Sequence, residues 1–341
     1  MSHGLCLLTH DLHPYGAQRL ARSLTIHWTR DCARHVEVVA CGAGELAADF
    51  RRHAPVTFLG QHWQYPAREL AHVIPALHHS GVRVALTNTV IAARHAPLLR
   101  AEGIPCIALI HEMPTLIREN ALETNLRAAH TDAAMVIYPH AAVAKAIRVA
   151  FPDLPNWSRA RVMAQGLETV NPFRGDRAAV RRTVRQSLGI ASDQSLVLGI
   201  GTGDRRKGID LFLDAALAIE RRVAADVAPC LLWIGPLNES DINEWQTRHG
   251  GQSWQSIQCF RWFGYQRDTM PFHAAADLFA LSSREDPFPY VAMESLNAGV
   301  PVLAFEGSGG GADLAVQGGG RTVATRTGEA LATAILEYLG E

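Results

Sequence analysis

The chain has 341 residues, of which 48% are hydrophobic and 19% charged, and its formal net charge is −1. That length exceeds one ordinary hydrophobic core and predicts two domains of a globular protein. The near-zero balance excludes general nucleic-acid binding, so no nucleic-acid partner is expected. No run of 18 apolar residues occurs, so no membrane-spanning helix is expected. The start, MSHGLCLLTHDLHPYG, lacks a basic stretch and a long apolar run; it reads as a first strand, not a signal peptide. The 6 cysteines are scattered with no Cys-x-x-Cys pair, which predicts reduced thiols and a cytoplasmic location. The 16 histidines are dispersed as well, and no metal site is expected. Residues 1–166 hold 16 Lys/Arg and 12 Asp/Glu, whereas residues 167–341 hold 16 and 21. Ordinary surface variation accounts for this. The sharper reading is that the basic half meets an anionic acceptor or touches the inner face of a membrane peripherally.

Strand and helix patterns alternate along the whole chain. In the first half, apolar runs stand at Leu5–Thr9, Val36–Ala40, Val56–Leu59, Val82–Leu86, Ile104–Ile110, Ala133–Tyr138 and Ala160–Ala164. Helical patterns lie between them, among them Gly16–Thr29 and Ala141–Ala150. The scheme restarts after Gln165-Gly166-Leu167 and the basic helix pattern Arg177–Leu188. Strand candidates there are Leu196–Ile200, Cys230–Ile234, Cys259–Phe263, Leu278–Leu281, Val300–Phe305 and Thr322–Ala324. Such alternation predicts α/β architecture with parallel sheets covered on both faces. The predicted domains are 1–166 and 167–341.

Two segments carry chemistry. Leu278–Phe305 reads as strand, loop, helix and strand, and its loop holds Glu285, Asp286 and the turn Pro287-Phe288-Pro289. Carboxylates thus lie beyond a strand's C-terminal end and just before a helix N-terminus. Ligands of open parallel sheets bind in such places, and helix N-termini suit phosphate. Asp286 sits on the loop, and Glu294, after seven intervening residues, sits in the helix. The second segment, Gly201-Thr202-Gly203-Asp204-Arg205-Arg206-Lys207-Gly208, is a glycine-rich turn ending in three basic side chains. These can make charge-assisted hydrogen bonds to phosphate; the bland alternative is a solvated basic turn. It is not a Walker loop, since Lys207 precedes Gly208 with no Ser or Thr after it. Nor does its glycine spacing fit a dinucleotide fingerprint. Only Lys145 and Lys207 are lysines, so the second half's single lysine falls in this turn.

These segments resemble glycosyltransferase family 4. So does Pro14-Tyr15-Gly16-Ala17-Gln18-Arg19, similar to the family's glycine loop, and Ile110-His111-Glu112-Met113-Pro114, similar to a His-Glu-x-Pro segment. Gly307–Leu314 resembles a Gly-Gly-x-x-Glu loop with Asp313 where Glu is usual. The five matches occur in the family's order across nearly the whole chain. The resemblance implies the GT-B fold, two Rossmann-like doubly wound domains facing across a cleft. It makes the first the acceptor side and the second the nucleotide-sugar side. It further implies a retaining, metal-independent transfer, without cofactor, from a UDP- or GDP-sugar to a glycan, lipid-linked or small-molecule acceptor. Cell-surface polysaccharide or glycoconjugate synthesis would be the setting.

Roles carry over from the same resemblance. Lys207 would hold the donor diphosphate, with Arg205 or Arg206 replacing an arginine usual where Thr202 stands. Asp286 would contact the donor sugar with an arm one methylene shorter than the family's Glu. Glu294 would contact the ribose, Phe288 would shape the loop, and Phe263 would end the strand beside the nucleobase. Gly16 would let the first domain's backbone approach the donor, and His111 would lie near the reacting sugar. Lone histidines are more often satisfied core residues; Glu112 and Pro114 beside it bring the site reading level with that one. The family's C-terminal helix that crosses back is expected to be missing. The alternative is therefore a catalytically impaired GT-B nucleotide-binding or scaffold module of a larger protein.

Overall fold

The computed structural model describes residues 4–61, 68–167 and 170–340. The chain divides into two compact units, Met1–Glu168 and Thr169–Glu341. The first unit contains β1 (Gly4–Thr9), β2 (Val36–Ala40), β3 (Val56–Phe58), β4 (Val82–Asn88), β5 (Cys106–Leu109), β6 (Met135–Tyr138) and β7 (Ala160–Val162). They form one sheet in the order β3-β2-β1-β4-β5-β6-β7, and every pairing is parallel. The second unit contains β8 (Leu196–Ile200), β9 (Cys230–Ile234), β10 (Phe260–Trp262), β11 (Leu278–Leu281), β12 (Val302–Phe305) and β13 (Arg321–Val323). Its sheet runs β10-β9-β8-β11-β12-β13, again all parallel.

The central strands bury both faces, which explains their continuous apolar runs, whereas the outer strands β3, β7, β10 and β13 are partly exposed. In β1, Cys6 and Leu8 face one core and Leu7 the other, as the two-residue period of a strand requires. In the second unit Val197, Leu231, Trp233 and Ala280 face one side, while Leu196, Leu198, Leu232 and Leu281 face the other. Burying one such Val or Leu side chain contributes about 1.5–3 kcal/mol. Helices cover both faces, as parallel sheets need.

One helix differs from its sequence pattern. The helix expected over Gly16–Thr29 keeps α geometry only over Gly16–Ile26 and widens to a π turn at His27–Asp31. Cys32 N–H then donates to His27 O at 3.1 Å, and His27 Nδ1 pairs with Asp31 Oδ2 at 2.8 Å. The last described helix, Gly328–Leu339, packs within the second unit on Ile209–Arg222. Its first residue must be small, because a Cβ on Gly328 would lie 2.2 Å from Asp214 Cβ.

The strand orders position the sites. In the first unit β1 pairs with both β2 and β4; in the second β8 pairs with both β9 and β11. At each such reversal the outgoing loops leave in opposite directions and open a crevice at the strands' carboxyl ends.

Candidate functional site

In the second unit the crevice lies between the loop after β8 and the loop after β11. Ser282 Oγ donates to Lys207 O at 3.0 Å, and Arg284 N–H donates to Arg206 O at 2.8 Å. The Arg206 guanidinium donates back to Glu285 O at 3.2 Å. Gly208 makes the approach feasible. Its φ is +73° and an added Cβ would stand 2.0 Å from Ser282 O. Beneath the loops Arg284 donates to both oxygens of Asp210 at 2.7 Å each, and Asp210 is buried. That pairing raises the Arg284 pKa above its ordinary value.

These staples bring Lys207 to Asp286. Lys207 Nζ donates to Asp286 Oδ2 at 2.5 Å, with the side chains 18% and 8% exposed. The pair is therefore partly shielded from solvent. The glycine-rich loop after β12 supports Asp286 from behind. Asp286 N–H donates to Ser308 O at 2.7 Å, and Gly310 N–H donates to Pro287 O at 2.9 Å. Gly309 has φ +131°, and a Cβ there would meet Asp286 O at 1.9 Å.

Glu294 follows on the helix Tyr290–Asn297 and is 2% exposed. Its Oε2 lies 3.5 Å from Thr269 Oγ1 and 3.6 Å from Nε2 of the fully buried His273. No acidic residue occupies that helix's first turn, so the positive end of its dipole is not offset there. Phe288 is half-buried on the loop. Phe263 continues β10, 40% exposed, with its N–H on Trp233 O at 2.9 Å and its ring 5.6 Å from that of Phe272. Arg205 is turned elsewhere. Its N–H donates to Asp241 Oδ2 at 2.8 Å and its exposed guanidinium lies 3.4 Å from Glu244. Of the three basic side chains, Lys207 reaches the carboxylate of Asp286.

The first unit carries its own polar cluster at the β1/β4 reversal. Gly16 opens the helix after β1, and a Cβ there would meet no atom within 4 Å. No packing demand keeps it a glycine. His111 follows β5, and its Nε2 lies 3.0 Å from Asn88 Oδ1 at the end of β4. Asn88 Nδ2 donates to Ala17 O at 2.9 Å. Glu112 accepts Val90 N–H at 3.1 Å and His111 N–H at 3.0 Å, tying the two strand ends together. Burial pushes the Glu112 carboxyl up to about 7, against the pull of those N–H groups. Burial, and secondarily His10, lowers His111 to about 4, so it is neutral at physiological pH. Thr89 between them holds φ +100°, costly for a β-branched residue, and its hydroxyl lies 3.2 Å from His10 Nδ1.

Sequence patterns single out Lys207, Asp286, Glu294 and His111, but not Asn88, Asp210, Arg284 or His273. The signal for Asn88 was a polar residue closing an apolar strand at its carboxyl end. The Arg284–Asp210 pair spans 74 positions and left no local signal. Among the described residues no three His, Cys, Asp or Glu side chains are grouped to hold a metal ion. No described helix is long and apolar enough to cross a membrane.

Residues 194–341 match the family described as Glycosyl transferases group 1. The chain is 28% identical over 130 residues to a mannosylfructose-phosphate synthase of Agrobacterium fabrum, covering 37% of this chain and 28% of that protein. It is 30% identical over 126 residues to the lipopolysaccharide core biosynthesis glycosyltransferase LpsE of Rhizobium meliloti, covering 37% and 34%. The chain thus spans about a third of the length of the curated relatives it matches. Among solved structures, Anabaena HepE in complex with UDP-glucose superposes with a TM-score of 0.76 at 20% identity, over 99% of this chain and 90% of that one. That likeness establishes the fold: it is GT-B, with two Rossmann-like parallel-sheet domains.

Proposed function

We propose that the chain is a retaining, family 4 glycosyltransferase acting on a nucleoside-diphosphate sugar. The observation that carries this reading is the Lys207–Asp286 pair, 2.5 Å apart at the β8/β11 reversal, with Glu294 on the helix that follows. A diphosphate leaving group needs a cation and backbone N–H donors. Lys207 and the N-terminus of Tyr290–Asn297 supply these, which removes the need for a metal ion or cofactor. Asp286 accepts hydrogen bonds from hydroxyls of the donor sugar and Glu294 from the ribose. The strand end at Phe263 borders the base. Arg206 shapes the turn through the Glu285 carbonyl, and Arg205 stands at its rim. Gly16 leaves room for close backbone approach, and His111 offers a neutral imidazole to a sugar hydroxyl. Retention would follow from an oxocarbenium-like transition state in which the departing phosphate takes the acceptor's proton on the same face.

The UDP-glucose bound to Anabaena HepE favours a uridine donor. The lipopolysaccharide relative favours a glycan or lipid-linked acceptor in cell-surface glycoconjugate synthesis, and the scattered cysteines favour the cytoplasmic side. The surplus of basic over acidic residues in residues 1–166, 16 against 12, supports peripheral contact with an anionic membrane. Thermal-shift measurements with UDP, GDP, ADP and dTDP identify the base; a nucleotide-sugar panel then reads transfer and donor hydrolysis. Stabilisation by one nucleoside diphosphate with turnover of its sugar is expected. Nucleotide binding with neither transfer nor hydrolysis would favour a GT-B binding module instead.

A further inference from the structure

We propose that Asn88 is a positioning residue that sets the tautomer of His111, keeping the proton on Nε2 and presenting Nδ1 as a hydrogen-bond acceptor to substrate. The argument starts from the one group in the chain of contacts whose role is not adjustable. Ala17 O is a backbone carbonyl and can only accept. The Asn88 nitrogen 2.9 Å from it must therefore be the amide donor, which fixes the orientation of the whole carboxamide. Asn88 Oδ1 then faces His111 Nε2 at 3.0 Å. Two acceptors at that distance would repel, so Nε2 carries a hydrogen. A neutral imidazole has only one such proton, and Nδ1 is left with its lone pair. Asn88 is fully buried, so neither of its bonds is exchanged for water without cost.

The surroundings keep the ring neutral. His10 faces it from the end of β1 and adds positive potential, while Glu112 turns both carboxylate oxygens to the N–H groups of Val90 and His111 instead of to the ring. Among the described residues Nδ1 has no hydrogen-bond partner, and the side chain is only partly buried. Asn88 also ties the glycine loop, through Ala17, to the histidine. One amide thus aligns both first-unit features assigned to the donor. The tautomer itself is independent of the proposed function; its use at a sugar hydroxyl rests on that reading.

The test uses full-length protein labelled with 15N-histidine. Long-range proton–nitrogen correlation should show His111 Nε2 protonated and Nδ1 unprotonated at neutral pH. Asn88→Asp places a carboxylate against Nε2–H, so the midpoint of the His111 titration should rise. The acidic limb of the kcat profile should move up with it. UDP affinity measured by calorimetry should stay within about twofold, since the diphosphate contacts belong to the second unit. His111→Asn, whose carbonyl reaches the Nδ1 position, should retain more turnover than His111→Gln; losing the hydrogen bond to the substrate hydroxyl costs the latter about tenfold. A protonated Nδ1 in the wild type, or an equal mixture, overturns the proposal whatever the activity. A protonated Nε2 together with full activity of His111→Gln overturns instead the placement of His111 at the substrate.

Discussion

Lys207 and Asp286 neutralise one another at 2.5 Å, so a diphosphate must compete with Asp286 for the ammonium. Two substitutions separate the partners' contributions. Lys207→Ala removes a charge-assisted contact worth about 1.5–3 kcal/mol and should weaken UDP binding by roughly one to two decades in calorimetry. Unchanged affinity would remove the phosphate role. Asp286→Asn frees the ammonium while keeping the side-chain volume. It should bind UDP at least as tightly as the parent yet transfer sugar more slowly, because the hydroxyl acceptor is weakened. Weaker UDP binding by Asp286→Asn would mean that the carboxylate holds Lys207 in place and does not compete with the ligand. Glu294→Gln should likewise lower activity with little change in melting temperature, since the amide fits the same buried space. Glu285→Gln is its control and should be mild. An essential Glu285 beside a dispensable Asp286 would shift the carboxylate register by one residue.

At the scale of elements, the thirteen described strands overlap the predicted apolar runs, most plainly in the central strands, where burial on both faces writes itself into consecutive residues. Helix ends shifted by a few residues where local bonds decide, as at His27–Asp31. The loops after β8 and β11 were legible as separate motifs. Their joining was not, because Lys207 and Asp286 lie 79 positions apart and meet only through the adjacency of β8 and β11. The Arg284–Asp210 strut belongs to the same class of long-range fact. It anchors the turn that carries Lys207, since Arg284 also donates to Arg205 O at 2.5 Å. Asp210→Asn leaves the Arg284 guanidinium without its carboxylate and should lower the melting temperature by several degrees. It should weaken UDP binding as well, although Asp210 touches no ligand. Lost stability with UDP affinity unchanged would show that the turn holds its shape by its backbone bonds alone.

Across the whole molecule, the strongly perturbed histidines lie in the first unit, where their burial opposes folding as pH falls. Burial lowers His95 to about 3, with Arg94 adding to the effect, and lowers His111 to about 4. Both folded values lie below the usual 6.5, so the unfolded chain binds more protons as pH falls. Their contribution is complete above pH 6.5 and is lost progressively toward pH 3–4. Glu112 acts in the opposite sense. Its folded value near 7 exceeds the usual 4.5, so folding takes up a proton there and stability gains as pH falls between them. Among these three groups the two histidines outweigh the one carboxyl on acidification below 6.5. His95 offers the cleaner test, because it is fully buried and lies outside the proposed sugar contacts. A group of this kind changes stability by about 1 kcal/mol per pH unit, or about 2–4 °C in melting temperature for a unit of this size. His95→Leu should therefore show a shallower fall in melting temperature between pH 7 and pH 5 than the parent, whatever its stability at neutral pH. Parallel profiles for the two proteins would mean that His95 is already protonated or solvated in the folded state. The acid sensitivity would then lie with other groups.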